Sequence, residues 1–166
     1  VTRKFGTRAV VIGGKTAMSK AKPELEAAIK DSDVEILDYI WYGGDSSYEN
    51  VEMLKNNPLV TGADMLFGVG GGRACDTVKT LADMLDKPFF TFPTLASNCA
   101  ACTAITVMYN PDGSFKEYYY MHGPSYHTFI NTKIIADSPE KLLWAGIGDA
   151  LSKDCLLYTS DAADDK

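Results

Sequence analysis

Apolar and polar positions along the first part of the chain switch between two periods. Arg8–Gly13 is a short β-branched run that suits a buried strand, and Val34–Trp41, Asp64–Val69 and Pro88–Phe92 read as further strands. The segments between them space their apolar residues as helices do. Ala17–Asp31 carries Leu25, Ala28 and Ile29 on one stripe, with Pro23 in its first half. Glu49–Asn56 follows a Gly43-Gly44-Asp45-Ser46 loop, and Ser46 or Ser47 is placed to cap it. Arg73–Leu85 aligns Ala74, Val78, Leu81 and Leu85. Strands alternating with helices predict crossover units around a parallel sheet. After Thr94 the pattern changes. Ala104–Tyr109 and Ser114–Tyr120 flank Asn110-Pro111-Asp112-Gly113, which predicts a hairpin. Thr128–Asn131 predicts another short strand. Ser138–Trp144 predicts a helix with Ser138 as N-cap and Pro139 in its first turn; Gly146-Ile147-Gly148 interrupts it and Asp149 opens the next helical stretch.

Composition narrows the class. The chain has 166 residues, 46% apolar and 23% charged, enough for one domain with a core. A net charge of -6 argues against nucleic acid as the main partner, because phosphate backbones require a basic surface. The apolar runs are too short and interrupted to span a bilayer, so no membrane is expected either. Val1-Thr2-Arg3-Lys4-Phe5 has no secretory pattern and is expected to lead directly into the first strand; a start at Val is read as a lost original N-terminus. The four cysteines, Cys75, Cys99, Cys102 and Cys155, form no disulfide framework, which points to a reduced, cytoplasmic setting. The run Cys155–Asp164 resembles the translated read-through of a transposase sequencing adapter. Residues 155–166 are therefore read as a non-native tail, and the natural chain as cut near Asp154, within a helix.

Candidate chemistry centres on Gly68-Val69-Gly70-Gly71-Gly72-Arg73-Ala74-Cys75-Asp76, between a strand and a helix. Glycines there allow close backbone approach, and the bare amides of a helix start bind phosphate. The usual dinucleotide fingerprint would need Gly where Arg73 stands and an acid after the next strand, which instead ends Phe90-Thr91-Phe92-Pro93. No Gly-Lys-Ser/Thr follows, so this is not a P-loop. From the glycines alone, a phosphate cradle and a plain tight turn remain equally open.

The wider pattern separates them. Gly68-x-Gly-Gly-Gly-x-x-x-Asp76-x-x-Lys79, then Pro93-Thr94-Leu95-Ala96-Ser97, then Tyr109 with Asp112-Gly113, then Ala145-Gly146-Ile147-Gly148-Asp149-Ala150-Leu151 occur in that order. This resembles the iron-containing alcohol dehydrogenase superfamily in its glycerol dehydrogenase branch, from about Arg8 to Lys153. The resemblance implies an α/β fold: a parallel-sheet, Rossmann-like NAD(P)-binding domain over residues 1–137 with the hairpin added. Residues 138–154 would then start a helical metal-binding domain whose remainder is missing. It implies that Gly70, Gly71, Gly72 and Arg73 cradle the pyrophosphate, and that Asp76 supports that loop or the nicotinamide side. Thr94 and Ser97 would contact the adenosine part, and Thr103, Ile105 and Tyr109 would line the nicotinamide pocket. Asp149 is implied as the catalytic metal ligand, for zinc or iron, with further histidine ligands on later helices. The family's chemistry uses the metal as a Lewis acid on the substrate hydroxyl while hydride passes to nicotinamide.

Departures from the family pattern refine the expectation. Cys99 stands where glycerol dehydrogenases place an Asp on the polyol, and Cys99-Ala100-Ala101 is more similar to the hydroxycarboxylate branch. The substrate is therefore a small alcohol or polyol, or a 2-hydroxy or 2-oxo acid, with Cys99 beside it. Gly14, followed by Lys15, stands where NAD-preferring members carry an acid, which leaves NADP use open. Arg73 replaces a common Lys and keeps the positive charge. A full-length chain is expected to form homo-oligomers. The bare residues also allow blander roles: Asp149 as a helix N-cap, Cys99 and Cys102 as two small buried thiols, and His122 and His127 as loop or strand residues. By the same reading, Tyr118–Met121 is packing and Lys79 a cover over the helix surface. Two other functions stand beside the dehydrogenase. One is a dehydroquinate synthase-like lyase, disfavoured because Ala96–Val107 holds no charge; the other is a nucleotide-binding module without catalysis.

Overall fold

The computed structural model describes the backbone of residues 1–164 and the side chains of residues 1–156. Residues 165–166 and the side chains of 157–166, most of the adapter-like run, lie outside the described residues. In chain order the elements are β1 (Arg8–Gly13), α1 (Lys15–Ile29), β2 (Glu35–Trp41), α2 (Tyr48–Lys55), α3 (Pro58–Gly62), β3 (Met65–Gly70), α4 (Gly72–Met84), β4 (Phe89–Pro93), β5 (Ile105–Tyr109), β6 (Phe115–Tyr120), β7 (His127–Thr128), α5 (Thr132–Ala136) and α6 (Glu140–Asp164). β1, β2, β3, β4 and β7 form one parallel sheet in the order β2-β1-β3-β4-β7; β5 and β6 form a separate antiparallel pair.

Period-two alternation in β1 builds both layers. Val10 and Ile12 pack with Val51 and Leu54 of α2, Val60 of α3, and Val78 and Leu81 of α4. Ala9 and Val11 face the other way, with Met18, Ala21 and Leu25 of α1, and Ile134 of α5 borders that layer. Fully burying one such side chain stabilises the fold by about 1.5–3 kcal/mol. Phe67, Phe90, Phe92 and Phe129 interlock their rings on the α1 side, with Phe92 and Phe129 stacked at 4.8 Å. Because β1 leads into α1 and β3 into α4, and these helices cover opposite faces, the strand order reverses between β1 and β3. That reversal opens a crevice beyond their carboxyl ends.

The backbones there nearly touch. The Gly14 amide donates to the Val69 carbonyl at 3.3 Å, and a Cβ on Gly13 would lie 2.1 Å from that same oxygen. At the hairpin, Gly113 takes φ 82°, and Asp112 Oδ1 accepts from both the amide and the hydroxyl of Ser114. The turn chemistry read from Asn110–Gly113 therefore holds.

Several expectations are corrected. A short 3-10 turn, Thr2–Phe5, precedes β1. Of the two serines expected as caps of α2, Ser47 fills the role by accepting the Asn50 amide. The strand expected over Thr128–Asn131 is only His127–Thr128, because Asn131 instead caps α5 through the Lys133 and Ile134 amides. α6 begins at Glu140, past Ser138, and runs unbroken through Gly146–Gly148, so Asp149 lies inside a helix rather than opening one. Packing overrides the glycines' weak helix preference at that point. No helix among the described residues is long and apolar enough to cross a membrane.

Two carboxylates pin segments distant in sequence. Asp64 Oδ2 accepts the amides of Arg8 at 2.9 Å and Thr7 at 3.0 Å, and these bonds hold its carboxyl below the usual range. Asp83 is pushed up by burial, but the Tyr119 hydroxyl at 2.8 Å and the His122 amide at 3.1 Å outweigh that and bring it below its ordinary value. A carboxyl lowered on folding stabilises fully above its unfolded pKa of about 4 and loses that contribution as pH falls through the lower folded value. Asp83→Ala is expected to cost on the order of 2 kcal/mol at pH 7 through the lost hydrogen bonds. Urea denaturation of variant and parent should show the two converging in acid below pH of about 4, once the parent's carboxyl is protonated.

Candidate functional site

β3 ends at Gly70 with φ 150°, a backbone state that suits glycine, and the next residue, Gly71, is the N-cap of α4. No side chain caps α4. The first-turn amides of Gly72, Arg73 and Ala74 thus point out of the helix start into the crevice, with the positive end of the helix dipole behind them. Side chains at the two glycines would meet the wall of that crevice: a Cβ on Gly71 would lie 2.8 Å from Leu95 Cδ1, and one on Gly72 2.8 Å from Asn98 Nδ2.

Two cavities flank this helix start. One, about 400 Å3, is lined by Gly72, Arg73 and Asp76 of α4, by Cys99, Ala100, Thr103, Ile105, Val107 and Tyr109, and by Asp149 and Lys153 of α6. The other, about 250 Å3, is lined by Gly71, Thr94 and Leu95 together with Thr16, Ala17 and Lys20 of α1 and Pro139. Gly72 and Arg73, expected for phosphate, thus meet the residues expected for nicotinamide and metal in the first cavity, while Gly71, also expected for phosphate, and Thr94, expected on the adenosine side, line the second. Gly14, Gly70 and Ser97 line neither.

The first cavity is strongly polar on one side. The Arg73 guanidinium lies 5.0 Å over the Tyr109 ring and 3.3 Å from Asp45 Oδ2. Asp76 is buried, which pushes its carboxyl up; the Lys79 cation 3.1 Å away opposes that, as does the Val107 amide donating to Oδ2. Opposite, Lys153 donates to Asp149 in an ion pair that raises the Lys153 pKa. α6 reaches this position because Gly146 lacks a side chain: a Cβ there would lie 1.6 Å from the Ala96 carbonyl oxygen.

Sequence reasoning missed several of these groups. Lys79, read as a surface cover, has a side chain with 0% exposure. Asp45, Asn98 and Lys153 were not singled out. For Lys79 the usable signal is its place three residues after Asp76, in the stretch Ala74–Ala82 that apart from these two holds only small and apolar residues. The reading of Cys99 and Cys102 as two buried thiols also fails. Cys99 is half-buried at the cavity and Cys102 is exposed, since the 3-10 turn Ala100–Cys102 turns inward only Ala101. Tyr118 and Tyr120 are exposed, and of the three consecutive tyrosines only Tyr119 is drawn inward, to Asp83. His122 and His127 lie in a loop and in β7, as expected, although the His122 ring also sits 3.1 Å from Asp83. Among the described residues, no group of three or more His, Cys, Asp or Glu side chains is placed to hold a metal.

Residues 1–128 match the family described as iron-containing alcohol dehydrogenase. The chain is 33% identical over 145 residues to a glycerol dehydrogenase of Escherichia coli O6:H1, covering 87% of this chain and 39% of that protein. It is 36% identical over 149 residues to hydroxycarboxylate dehydrogenase A of Escherichia coli K12, covering 89% and 40%. The crystal structure of glycerol dehydrogenase from Schizosaccharomyces pombe superposes with a TM-score of 0.81 at 29% identity, over 91% of this chain and 38% of that one. The chain thus spans about 40% of the length of the relatives it matches.

Burial separates the thiols chemically. Cys75 is fully enclosed, and desolvation together with the neighbouring Asp76 pushes its thiol up to about 12. Because the thiolate is the nucleophile, iodoacetamide at pH 8 is expected to alkylate Cys102 in the folded protein and leave Cys75 unmodified. Peptide mass spectrometry checks this, and labelling of Cys75 at the Cys102 rate would show that α4 is not packed as described.

Proposed function

The chain belongs to the iron-containing alcohol dehydrogenase family, and on that footing we propose that it is the cofactor-binding part of an NAD(P)-linked oxidoreductase for a small polyol or 2-hydroxy acid. The supporting observation is the uncapped start of α4 at the strand-order reversal, with a cavity on each side of it. A dinucleotide is an extended molecule with a diphosphate at its centre, and this layout fits it. The diphosphate takes the Gly72, Arg73 and Ala74 amides and the Arg73 guanidinium, with Gly70 and Gly71 leaving the approach clear. The adenosine half lies toward Gly14, Thr94 and Ser97. The nicotinamide half enters the larger cavity beside Thr103, Ile105 and Tyr109, with Asp76 behind the loop. Bound there, nicotinamide supplies hydride transfer; the chain's own residues orient the ring and exclude water from one face. Cys99 and Lys153 lie where the substrate would meet the ring, and Cys75, Cys99 and Cys102, none of them in a disulfide, fit a reducing compartment.

Residues 1–137 constitute the nucleotide-binding unit on this reading, and 138–154 begin the unit that completes the cleft. Asp149 is this chain's contribution to a metal site. One carboxylate, ion-paired to Lys153, does not make a metal site by itself. The lyase alternative has less support, since the two curated relatives compared above are named as dehydrogenases and the wall Ala96–Val107 carries no charge for a second phosphate.

Discrimination between the two nicotinamide cofactors follows from the β1 end. Gly14 presents no carboxylate to repel a 2′-phosphate, and the Lys15 ammonium lies 5.0 Å over the Trp41 ring close by. Quenching of Trp41 and Trp144 fluorescence is therefore expected to show NADPH binding at least as tightly as NADH. Arg73→Ala should weaken both about tenfold by removing a charge-assisted contact. The chain alone should turn over no alcohol. Failure to bind either dinucleotide would remove the basis of the assignment, and much tighter binding of NADH would overturn the Gly14 argument.

A further inference from the structure

Lys79 lines neither cavity, yet the wall of the larger one converges on its ammonium. Nζ donates to the Ala100 carbonyl at 2.7 Å and the Ile105 carbonyl at 2.7 Å. It also lies 3.1 Å from Asp76 Oδ1 and 3.3 Å from Thr103 Oγ1. The Thr103 hydroxyl in turn faces the same two carbonyls, at 3.4 and 3.3 Å. The segment from Ala100 to Ile105 therefore wraps around one cation, carbonyls inward. Its other side supplies Ala100, Thr103 and Ile105 to the cavity, and Asp76 reaches on to the Val107 amide. A fully buried ammonium needs these acceptors, because it has no water to replace them.

We propose that Lys79 is a positioning residue that sets the nicotinamide wall at a fixed distance from the diphosphate-binding helix start. Both ends of this relation are carried by α4. Gly72 opens the helix, and Lys79 lies two turns further along, about 10 Å at 1.5 Å per residue. The loop wall has little regular structure of its own; the sheet holds its Ala101 carbonyl through the Thr91 and Thr128 hydroxyls at 2.8 and 3.3 Å, while the Lys79 and Asp76 contacts tie its cavity-lining residues to the helix that carries the phosphate-binding start. The inference rests on the cofactor reading above, and the test separates the two.

Lys79→Met keeps the unbranched apolar stem and removes the charge. Binding of ADP, which has the diphosphate but no nicotinamide, is compared with binding of NADPH and with the emission enhancement of bound NADPH. The variant is expected to keep ADP affinity within about twofold, weaken NADPH about tenfold and lose the emission enhancement. Equal loss of both ligands, or loss of neither, overturns the proposal. If Lys79→Met does not fold, the decision passes to Lys79→Gln, whose neutral amide reaches fewer of the same acceptors. It should keep ADP affinity within about twofold and diminish the NADPH enhancement; equal loss of both ligands, or of neither, overturns the proposal. An unaltered chain that binds ADP and gains nothing from nicotinamide sinks the positioning role but leaves the phosphate site standing. One that binds neither sinks the cofactor reading itself.

Discussion

At the carboxyl ends of β1 and β3 two main chains pass so closely that hydrogen is the largest substituent that fits. The Gly13 α-carbon faces the Val69 carbonyl, and the Gly14 amide bonds to that oxygen. This contact keeps the two central strands in register to their tips, and from there the chain leaves toward opposite faces. α1 goes to one side and α4 to the other, so the strand order turns over where the backbone is thinnest. Larger residues at these tips would push the strands apart, and the crevice and the helix start that faces it would lose their common frame.

Much of this was legible in the sequence. β1, β3 and β4 are mainly apolar runs, β2 carries Glu35 and Asp38 as an edge strand, and α1, α2 and α4 carry regular apolar spacing, so the bounds of all are legible to within a few residues. The hairpin was readable from Asn110–Gly113 because its turn chemistry is local. α3 and α5 were not, since helices of five residues are too short to show a period. The glycines of α6 misled for a related reason. Propensity disfavours glycine in a helix by about 1 kcal/mol relative to alanine, and what favours Gly146 there is the Ala96 carbonyl, which belongs to a loop distant in sequence.

The site was legible in part for the same cause. Gly71, Gly72, Arg73, Asp76, Thr103, Ile105, Tyr109 and Asp149 stand out through the resemblance to the family, and the fold gathers most of them around one hollow. Lys79 was assigned to the surface because lysine is almost never fully enclosed unless paired. Its pairing depends on carbonyls that arrive from beyond β4, which no local pattern displays. The Cys99–Cys102 spacing was equally silent about which thiol faces inward, because a single 3-10 turn decides it.

Burial runs without a break from Ala74 to Ala82, whereas α6 leaves Leu143, Trp144, Ile147 and Leu151 facing solvent. Amide protons in the middle of α4 can therefore exchange with solvent only when the whole sheet opens, while those of α6 can exchange by fraying of that helix alone. The hollow between them is bounded on one side by a helix sealed from water and on the other by one whose outer face is open to it.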